Sequence, residues 1–229
     1  MRKENSVELA KEFLRRKFDG SEYFSDKPYE KEYRYEHSVR VANIGKYIAE
    51  KEGLDAEAMV VACLLHDISY CGKFKDSEDY RNHGRYSAKI ARPFLEELGF
   101  EPDVIEDICY GIAIHADDKA DFDGKRTAFA LTVGDADNID RFDAYRIFEN
   151  LKWIKYDEMS IDEKRGHTEK PLRNSGNTKS WSLVRNPGTS FGAKSWTFKL
   201  SFIKGLNIRL KSAIFKTIPK FLRTLVYNI

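Results

Sequence analysis

The chain has 229 residues, of which 41% are apolar and 33% are charged, and its formal net charge at neutral pH is +2. This length and apolar content suffice for a domain with a buried core, which excludes an intrinsically disordered chain. No uninterrupted apolar stretch approaches the ~20 residues of a membrane-spanning helix, and the first residues are charged and amphipathic, so neither secretion nor membrane spanning is expected.

An amphipathic helix is predicted near residues 6–17, followed by an aromatic connector over residues 23–33. A second helical pattern begins near Tyr35 and contains His37. Apolar residues then follow His37 at steps of four and three, at Val41, Ile44 and Ile48. Because residues at this spacing share one face of a helix, His37 is predicted to lie on the buried stripe.

The next predicted helix starts after Gly53, which is expected to end the second helix, and Asp55 is expected to cap its N-terminus. Its apolar run, VVACLL, leads directly to His66 and Asp67. Adjacent residues on a helix diverge by ~100°, so both side chains can reach one metal ion only near a helix end. The loop SYCGKFKDSEDYRN that follows supports an end at this place.

Two further helices each present a histidine. One is predicted over residues 83–98, with His83 at its start and inward-facing apolar residues behind it. The other opens at Pro102 and Asp103 and carries apolar residues at steps of three and four up to His115. His115 is therefore predicted to lie at the buried edge of its helix, and His83 where a side chain can lean into a cavity.

A further helix, predicted over residues 130–147, contributes acidic residues. Asp137 and Asp140 fall on its buried stripe, whereas Asp135 falls beside it. Asp137 is therefore preferred as a ligand, Asp135 remains its competitor, and Asp140 is assigned to orienting another group. No repeats are visible and strand patterns are few, so the body is predicted to be all-α.

Four of the five histidines share these inward positions with the acidic residues. A single histidine on an apolar stripe is usually a hydrogen-bonded core residue, but an aspartate buried without a partner is costly. A set rich in imidazole and carboxylate suits Fe, Mn, Ni, Mg or Zn and indicates a catalytic rather than a closed structural site. His167 lies in a polar stretch and is expected to be solvated. The predicted cofactor is one or two divalent metal ions.

The order and context of these residues resemble the HD-domain superfamily of metal-dependent phosphohydrolases. The matching segments lie between Tyr35 and Ile147 and read YEHSVRVANIGKYIAEKEG, VACLLHDIS, HGRYSAKIA, IAIHA and GDADNIDRFDAYRI. A histidine, then a His-Asp pair preceded by two leucines, then an aspartate in an Ala-Asp-x-x-Asp setting, form the signature of that superfamily. The resemblance implies an all-α, HD-domain helical bundle.

The resemblance also implies a metal site. The core ligands that it carries over are His37, His66, Asp67 and Asp137. His83 and His115 match the additional histidines of subfamilies that hold two metal ions, with Asp67 as the bridge. The cyclic-dinucleotide phosphodiesterase branch is less similar, because its paired histidines and Gly-Tyr-Pro element are missing after His115 and Tyr70 replaces its lysine.

The implied activity is hydrolysis of a phosphate ester or anhydride bond, in a nucleotide, by a metal-activated water. Asp67 and Asp140 are predicted to serve catalysis. Five basic residues within a turn or a loop of the ligands are predicted to bind substrate phosphate: Arg40, Lys73, Arg85, Lys119 and Arg141. The intact ligand set favours an enzyme over the alternative, a regulatory module that binds a nucleotide or metal without turnover.

Charge divides the chain into an HD-domain helical body over residues 1–150 and a basic extension over residues 151–229. No Asp or Glu occurs from Lys170 onwards, and twelve of the 39 basic residues lie there, which leaves 27 basic against 37 acidic residues before it. The extension is predicted to be helical, amphipathic and packed on the body. The alternative is an adaptor that contacts an anionic membrane surface or nucleic acid through this tail.

The three cysteines indicate the compartment. Cys63, Cys71 and Cys109 are odd in number and show no close metal-type pairing. This usage is typical of free thiols in a reducing compartment rather than of a disulfide framework. The chain is therefore predicted to be cytoplasmic, with a small phosphorylated molecule as its partner. The sequence predicts no oligomeric state.

Overall fold

The computed structural model describes residues 4–140 and 144–163 of the chain. These residues contain no β-strand, and the predicted all-α fold is confirmed. The α-helices are α1 (Ser6–Asp19), α2 (Pro28–Glu52), α3 (Ala56–Leu65), α4 (Ser77–Arg81), α5 (His83–Glu97), α6 (Pro102–Ile114), α7 (Ala128–Asp140) and α8 (Ala144–Trp153). Short 3-10 turns cover Ile68–Cys71 and Tyr156–Glu158.

Several predictions concern residues beyond these ranges. The segment predicted as a helix over residues 130–147 is helical in α7 and α8, and residues 141–143 between them lie outside the described residues. The basic extension lies outside them from residue 164 onwards, so its packing stays a prediction. No helix in the described part of the chain is long and apolar enough to cross a bilayer.

α2 begins earlier than the sequence predicts. The predicted connector is helical from Pro28 onwards, because the fixed φ of proline suits the first turn of a helix. Arg15 of α1 forms an ion pair with Glu32 at 2.7 Å, and its guanidinium lies 3.5 Å from the centroid of the Tyr35 ring. These contacts with α1 stabilise the early turns of α2. The connector prediction was therefore wrong from residue 28 to residue 33.

The turn from α2 to α3 uses the predicted caps. Gly53 adopts a left-handed conformation with a φ of 68°, and Asp55 Oδ1 accepts a hydrogen bond from Ala58 N at 2.9 Å. A Cβ atom added to Gly45 would lie 2.6 Å from Cys63 Sγ, so glycine is what allows α2 and α3 to approach closely. This packing sets the middle of α2 against the last turn of α3.

α3 is the central helix of the body. Every residue from Ala58 to Leu65 is buried, and the helix contacts α1, α2, α5, α6 and α7. A helix that is hydrophobic all round is buried all round. Each fully buried Leu or Met side chain contributes about 1.5–3 kcal/mol to stability. This burial fixes the position of the end of α3, and with it the positions of His66 and Asp67 that follow.

The loop predicted after the His-Asp pair is partly helical. It contains the 3-10 turn Ile68–Cys71 and the short helix α4. Asp76 caps α4 by accepting hydrogen bonds from the backbone N–H groups of Glu78 and Asp79. This short helix returns the chain to the start of α5, where His83 lies.

α6 packs closely between α5 and α7 because glycines lie at both contacts. A Cβ atom on Gly84 would lie 2.7 Å from the carbonyl oxygen of Ala113, and one on Gly111 would lie 2.8 Å from that of Ala130. Backbone atoms in a packed core cannot yield to such contacts without distortion. α6 begins where the sequence predicts, and its C-terminal end brings His115 against the first turn of α5.

Candidate metal centre

Five helices place imidazole and carboxylate side chains around one buried point. The contributing parts are the middle of α2, the end of α3, the start of α5, the end of α6 and the last turn of α7. The residues, in that order, are His37, His66 with Asp67, His83, His115 and Asp137. All six are buried, in the inward positions that helical spacing predicts.

The first group of ligand atoms comes from α2, α3 and α7. His37 Nε2 lies 3.3 Å from His66 Nε2 and 3.2 Å from Asp137 Oδ1. Asp67 Oδ2 lies 3.6 Å from each of these two imidazole nitrogens. Two imidazoles and two carboxylates therefore face the same point. Since Asp137 contributes an oxygen here, the geometry supports Asp137 over its competitor Asp135 as the last ligand.

The second group comes from α3, α5 and α6. Asp67 Oδ1 lies 3.5 Å from His83 Nε2 and 3.4 Å from His115 Nε2, and these two nitrogens are 3.1 Å apart. Asp67 thus offers one oxygen to each group. The ligand atoms of His37, His66 and Asp67 lie within 4.8 Å of one another, as do those of Asp67, His83 and His115. This is the geometry of a carboxylate that bridges two adjacent sites.

Each of the four imidazoles is held through its other nitrogen. Three of them donate from Nδ1 to a backbone carbonyl 2.7 Å away: His66 to Cys63, His83 to Tyr80, and His115 to Ile112. His37 instead donates from Nδ1 to Asp140 Oδ2, also at 2.7 Å. Because these oxygens cannot donate, the bonds select the tautomer in which Nε2 carries a lone pair.

The chemistry of these atoms fits divalent cations. In this tautomer the four Nε2 atoms and the carboxylate oxygens are all acceptors, so neighbours 3.1–3.3 Å apart repel one another unless a cation lies between them. Imidazole suits Zn, Fe and Ni, and carboxylate suits Mn and Mg. The residues therefore fit one divalent ion in each group.

Burial and facing charges set the ionisation of the ligands. Burial lowers the pKa of His66 to about 4 and also lowers the pKa of His83, so both imidazoles are neutral at pH 7. Burial acts to raise the pKa of Asp67, but the facing imidazoles, foremost His66, hold it well below its usual value. Burial also acts to raise the pKa of Asp137, but the facing imidazoles of His37, His66 and His115 together lower it. Both carboxylates are therefore ionised.

The other two imidazoles reflect the negative charge around them. Burial acts to lower the pKa of His37, but the facing carboxylates of Asp137, Asp140 and Asp67 together raise it above the usual value. Burial also acts to lower the pKa of His115, but the facing carboxylates of Asp67 and Asp137 raise it. An environment that stabilises a proton on these nitrogens also stabilises a metal cation beside them.

Asp140 lies behind His37 and holds it in place. Its Oδ2 accepts from His37 Nδ1 at 2.7 Å, and its Oδ1 accepts from Arg40 Nε at 2.8 Å. Burial acts to raise the pKa of Asp140, but these hydrogen bonds lower it, so the carboxylate is ionised. The predicted orienting role of Asp140 thus has a geometric basis, and it acts through His37 as a positioning residue.

The residues predicted to bind phosphate have varied surroundings. Arg40 is engaged by the carboxylate of Asp140. Arg85 donates to both carboxylate oxygens of Asp117, at 2.8 Å and 3.1 Å. The remaining described residues of this set, Lys73 and Lys119, are exposed, and Arg141 lies outside the described residues. The two described arginines therefore already hold carboxylates of the chain itself.

Two residues beside the centre were missed by the sequence analysis. Arg34 Nη1 lies 3.5 Å from Asp67 Oδ2, and the Arg34 guanidinium stacks 3.5 Å from the centroid of the Tyr70 ring. Arg34 precedes His37 by three residues, so helical spacing could have placed it on the same face. The contact of Tyr70 depends on how the chain turns after Asp67, and the sequence carries no signal for it.

Comparison with known proteins finds similarity over the part of the chain that carries the centre. The family model for the HD domain matches residues 34–144. Ribonuclease Y of Mycoplasma mycoides is 37% identical over 103 residues, which are 45% of this chain and 21% of that protein. Ribonuclease Y of Mycoplasma capricolum subsp. capricolum is 38% identical over 103 residues, 45% of this chain and 17% of that protein. The chain thus spans about a fifth of these curated relatives.

A solved structure shares the fold. The crystal structure of a predicted HD superfamily hydrolase from an uncultured Thermotogales bacterium matches with a TM-score of 0.50 at 19% identity. The match covers 74% of this chain and 91% of that one. The segment that the family model matches contains all six ligand-type residues of the centre. Residues 34–144 are therefore similar to the HD domain, and the chain shares the fold of that solved structure.

Proposed function

We propose that this chain hydrolyses a phosphate ester or anhydride bond of a nucleotide, using two divalent metal ions and a water molecule. The observation that carries the proposal is the bridging position of Asp67, whose two oxygens each face a pair of imidazole nitrogens. A nucleotide is favoured because the curated relatives are named ribonucleases, which cleave bonds between nucleotides.

The residues of the chain have separable tasks in this proposal. When bound, divalent ions would polarise a phosphoryl oxygen and lower the pKa of a water molecule to roughly 7, which would supply the nucleophile. Asp67 holds the two groups at a fixed separation, and the four histidines present neutral nitrogens to them. Asp140 keeps His37 in the orientation that its ligand role requires.

The donor set narrows the choice of metal. Four imidazole nitrogens favour transition metals over Mg, while two carboxylates reduce the preference for Zn. We therefore expect Fe or Mn ahead of Ni, Zn and Mg. Purified chain from cells supplied with Fe and Mn should contain close to two ions per molecule.

The test compares metal content and hydrolysis in the wild type and in Asp67→Ala. The variant should lose most of its metal and its release of phosphate from a nucleotide panel, because both groups lose an oxygen. Asp121→Ala is the matched control, since that exposed aspartate pairs with Lys89 at 2.6 Å away from the centre. A content near one ion would leave His83 and His115 in other roles.

If the purified chain contains no metal even after it is reconstituted with metal ions, the catalytic proposal is refuted. Metal binding without turnover would favour the regulatory module that binds a nucleotide or metal. These two outcomes separate the enzyme from the binding protein without any knowledge of the natural substrate.

A second candidate substrate is RNA. The match of 103 residues to Ribonuclease Y from two Mycoplasma species supports it, although this chain spans only 21% and 17% of those proteins. A short RNA oligonucleotide and a set of free nucleotides, offered to the same metal-loaded protein, would distinguish the two substrates. Cleavage of the oligonucleotide alone would assign the site to RNA.

A further inference from the structure

Two arginines, of which Arg34 contacts Asp67 of the metal centre, carry buried nitrogen atoms that lack a hydrogen-bond partner among the described residues. They are Arg34 Nε on α2 and Arg146 Nη1 on α8. Both guanidinium groups lie over the ring of Tyr33, with their central carbons 5.8 Å and 5.3 Å from its centroid. Two positive charges therefore share one aromatic neighbour, Tyr33.

Two carboxylates near Arg34 and Tyr33, those of Asp67 and Asp140, are also engaged by other groups. Asp140 is engaged by Arg40, at 2.8 Å and 3.3 Å, and by His37. Arg34 has one long contact, at 3.5 Å, with Asp67 Oδ2. That oxygen also faces the imidazoles of the first ligand group, so it is shared rather than committed to Arg34.

Three arginines and one carboxylate act on Tyr33. Burial and the charge of Asp140 raise the pKa of its hydroxyl, and the charges of Arg146, Arg34 and Arg40 act in the opposite direction. Buried guanidinium groups without a counter-charge are costly, so a bound anion would stabilise this arrangement. Arginine is also the residue best suited to planar, two-point recognition of phosphate oxygens.

We propose that Arg34 and Arg146 form an anion subsite for a second phosphoryl group of the substrate, adjacent to the phosphorus that is hydrolysed at the metal centre. The proposal rests on the proposed function and narrows its substrate class. Substrates would carry two phosphoryl groups, with the scissile one at the ligand groups around Asp67 and the other between the two arginines. A simple phosphomonoester would leave the arginine pair without its anion.

The position of Arg34 explains how one substrate could span both places. Arg34 Nη1 lies 3.5 Å from Asp67, while the Nε of the same guanidinium lies on the side without a partner among the described residues. Its plane is fixed by stacking on the Tyr70 ring at 3.5 Å. A fixed, planar donor next to the ligands can contact an oxygen shared by two neighbouring phosphoryl groups.

Calorimetry on the Mn-loaded 229-residue chain tests this subsite. The probes are orthophosphate, with one phosphoryl group, and imidodiphosphate, with two that cannot be hydrolysed apart. Wild type should bind imidodiphosphate about tenfold or more tightly than orthophosphate, as expected for an additional charge-assisted contact. Arg146→Ala should lose that excess while its orthophosphate affinity and metal content stay at the wild-type level.

Two further variants make the result specific. Arg34→Gln should weaken imidodiphosphate binding by a similar factor, with metal content measured alongside to show that the centre is intact. Arg92→Ala is the matched control, because its guanidinium pairs with Glu106 on the surface. Unchanged selectivity in both Arg146→Ala and Arg34→Gln, with metal present, would overturn the subsite.

The results of these experiments can refute the anion subsite and the proposed function independently of each other. A chain that binds Mn and hydrolyses nucleotides, yet shows no dependence on Arg146, would refute the subsite alone. A chain that hydrolyses nothing, yet binds imidodiphosphate in an Arg146-dependent way, would refute the enzyme alone.

A third probe, a 5′-phosphorylated dinucleotide, distinguishes the two sources of a second phosphate. Arg146-dependent preference for it would assign the subsite to a nucleic-acid backbone, and preference for imidodiphosphate to an anhydride.

Discussion

Hydrogen bonds from Nδ1 decide where the four imidazoles of the centre present their free nitrogens. Three of the acceptors are neutral backbone carbonyls, and the fourth is the carboxylate of Asp140 behind His37. A charged acceptor makes the ligand nitrogen more basic and strengthens its bond to a cation. His37 is therefore the imidazole whose ligand strength depends most on a single side chain.

Replacing Asp140 with asparagine should weaken metal binding in the first group. Asp140 accepts from both His37 and Arg40, and the amide NH₂ of asparagine would face one of these donors. The expected loss of Mn affinity is about 10–100-fold, measured by equilibrium titration. Asp121→Asn should bind Mn like the wild type. An unchanged Mn affinity in Asp140→Asn would show that His37 needs no such support.

At the contact between α5 and α6, Gly84 is the residue that allows the two helices to lie close together. A Cβ atom on Gly84 would lie 2.7 Å and 2.8 Å from two carbonyl oxygens of α6, and 3.2 Å from His115 Nδ1. Gly84→Ala should therefore push the two helices apart and cost about 1–3 kcal/mol in the free energy of unfolding. Because His83 and His115 come from these two helices, the metal content should fall towards one ion per chain.

Gly134 supplies the matched control for that experiment. A Cβ atom there would meet its nearest neighbour, His115 Cα, at an ordinary van der Waals distance of 3.4 Å. Gly134→Ala removes a glycine from the interior of α7, which should leave stability unchanged or raise it by up to about 1 kcal/mol. If Gly84→Ala kept both ions and full stability, the close approach of α5 and α6 would not be what positions the second group.

The contact between α1 and α2 should depend on pH through Glu32. The hydrogen bond from Arg15 lowers the pKa of Glu32 below its usual value. A lowered pKa in the folded state means that the pair stabilises the fold above the unfolded pKa and that this stability is lost as pH falls through the folded pKa. Because half of the Glu32 side chain is exposed, the contribution at neutral pH should stay below about 1 kcal/mol.

Urea unfolding of wild type and Glu32→Gln provides the measurement. The variant should be slightly less stable at neutral pH, and the difference between the two proteins should shrink steadily below about pH 5. A difference that grows on acidification would contradict the sign of the effect. Lys46→Gln, at an exposed position of α2, reports the general effect of removing a surface charge.

Helical spacing predicted which residues of each element face the centre, but not how the elements meet. His37 and His115 lie on buried faces because apolar residues recur at steps of three and four beside them. The contact between His37 and Asp140 joins residues 103 positions apart, and periodicity within one helix carries no information about such a pairing. The early start of α2 and the helix α4 depend on contacts with α1 and on a local cap, which apolar periodicity does not register.

For the whole molecule, the ligands tie together helices that are far apart in sequence. The first group joins α2, the end of α3 and α7, and the second joins the end of α3 to α5 and α6. A metal ion that binds this arrangement and not the unfolded chain must stabilise the fold by mass action. At about a hundredfold excess over its Kd, one ion adds about 2.7 kcal/mol, or roughly 5–10 °C in Tm for a chain of this size.

Melting temperatures with and without Mn should therefore resolve the two groups. Chelated wild type should melt lowest, and saturation with Mn should raise its Tm by the contribution of both ions. His115→Ala removes a ligand of the second group alone, so part of the rise should survive in it. Asp67→Ala removes an oxygen from each group, so the rise should vanish. If His115→Ala and Asp67→Ala lost the same share of the rise, the ions would bind as one cooperative unit, because Asp67 couples the groups too strongly for either to fill alone.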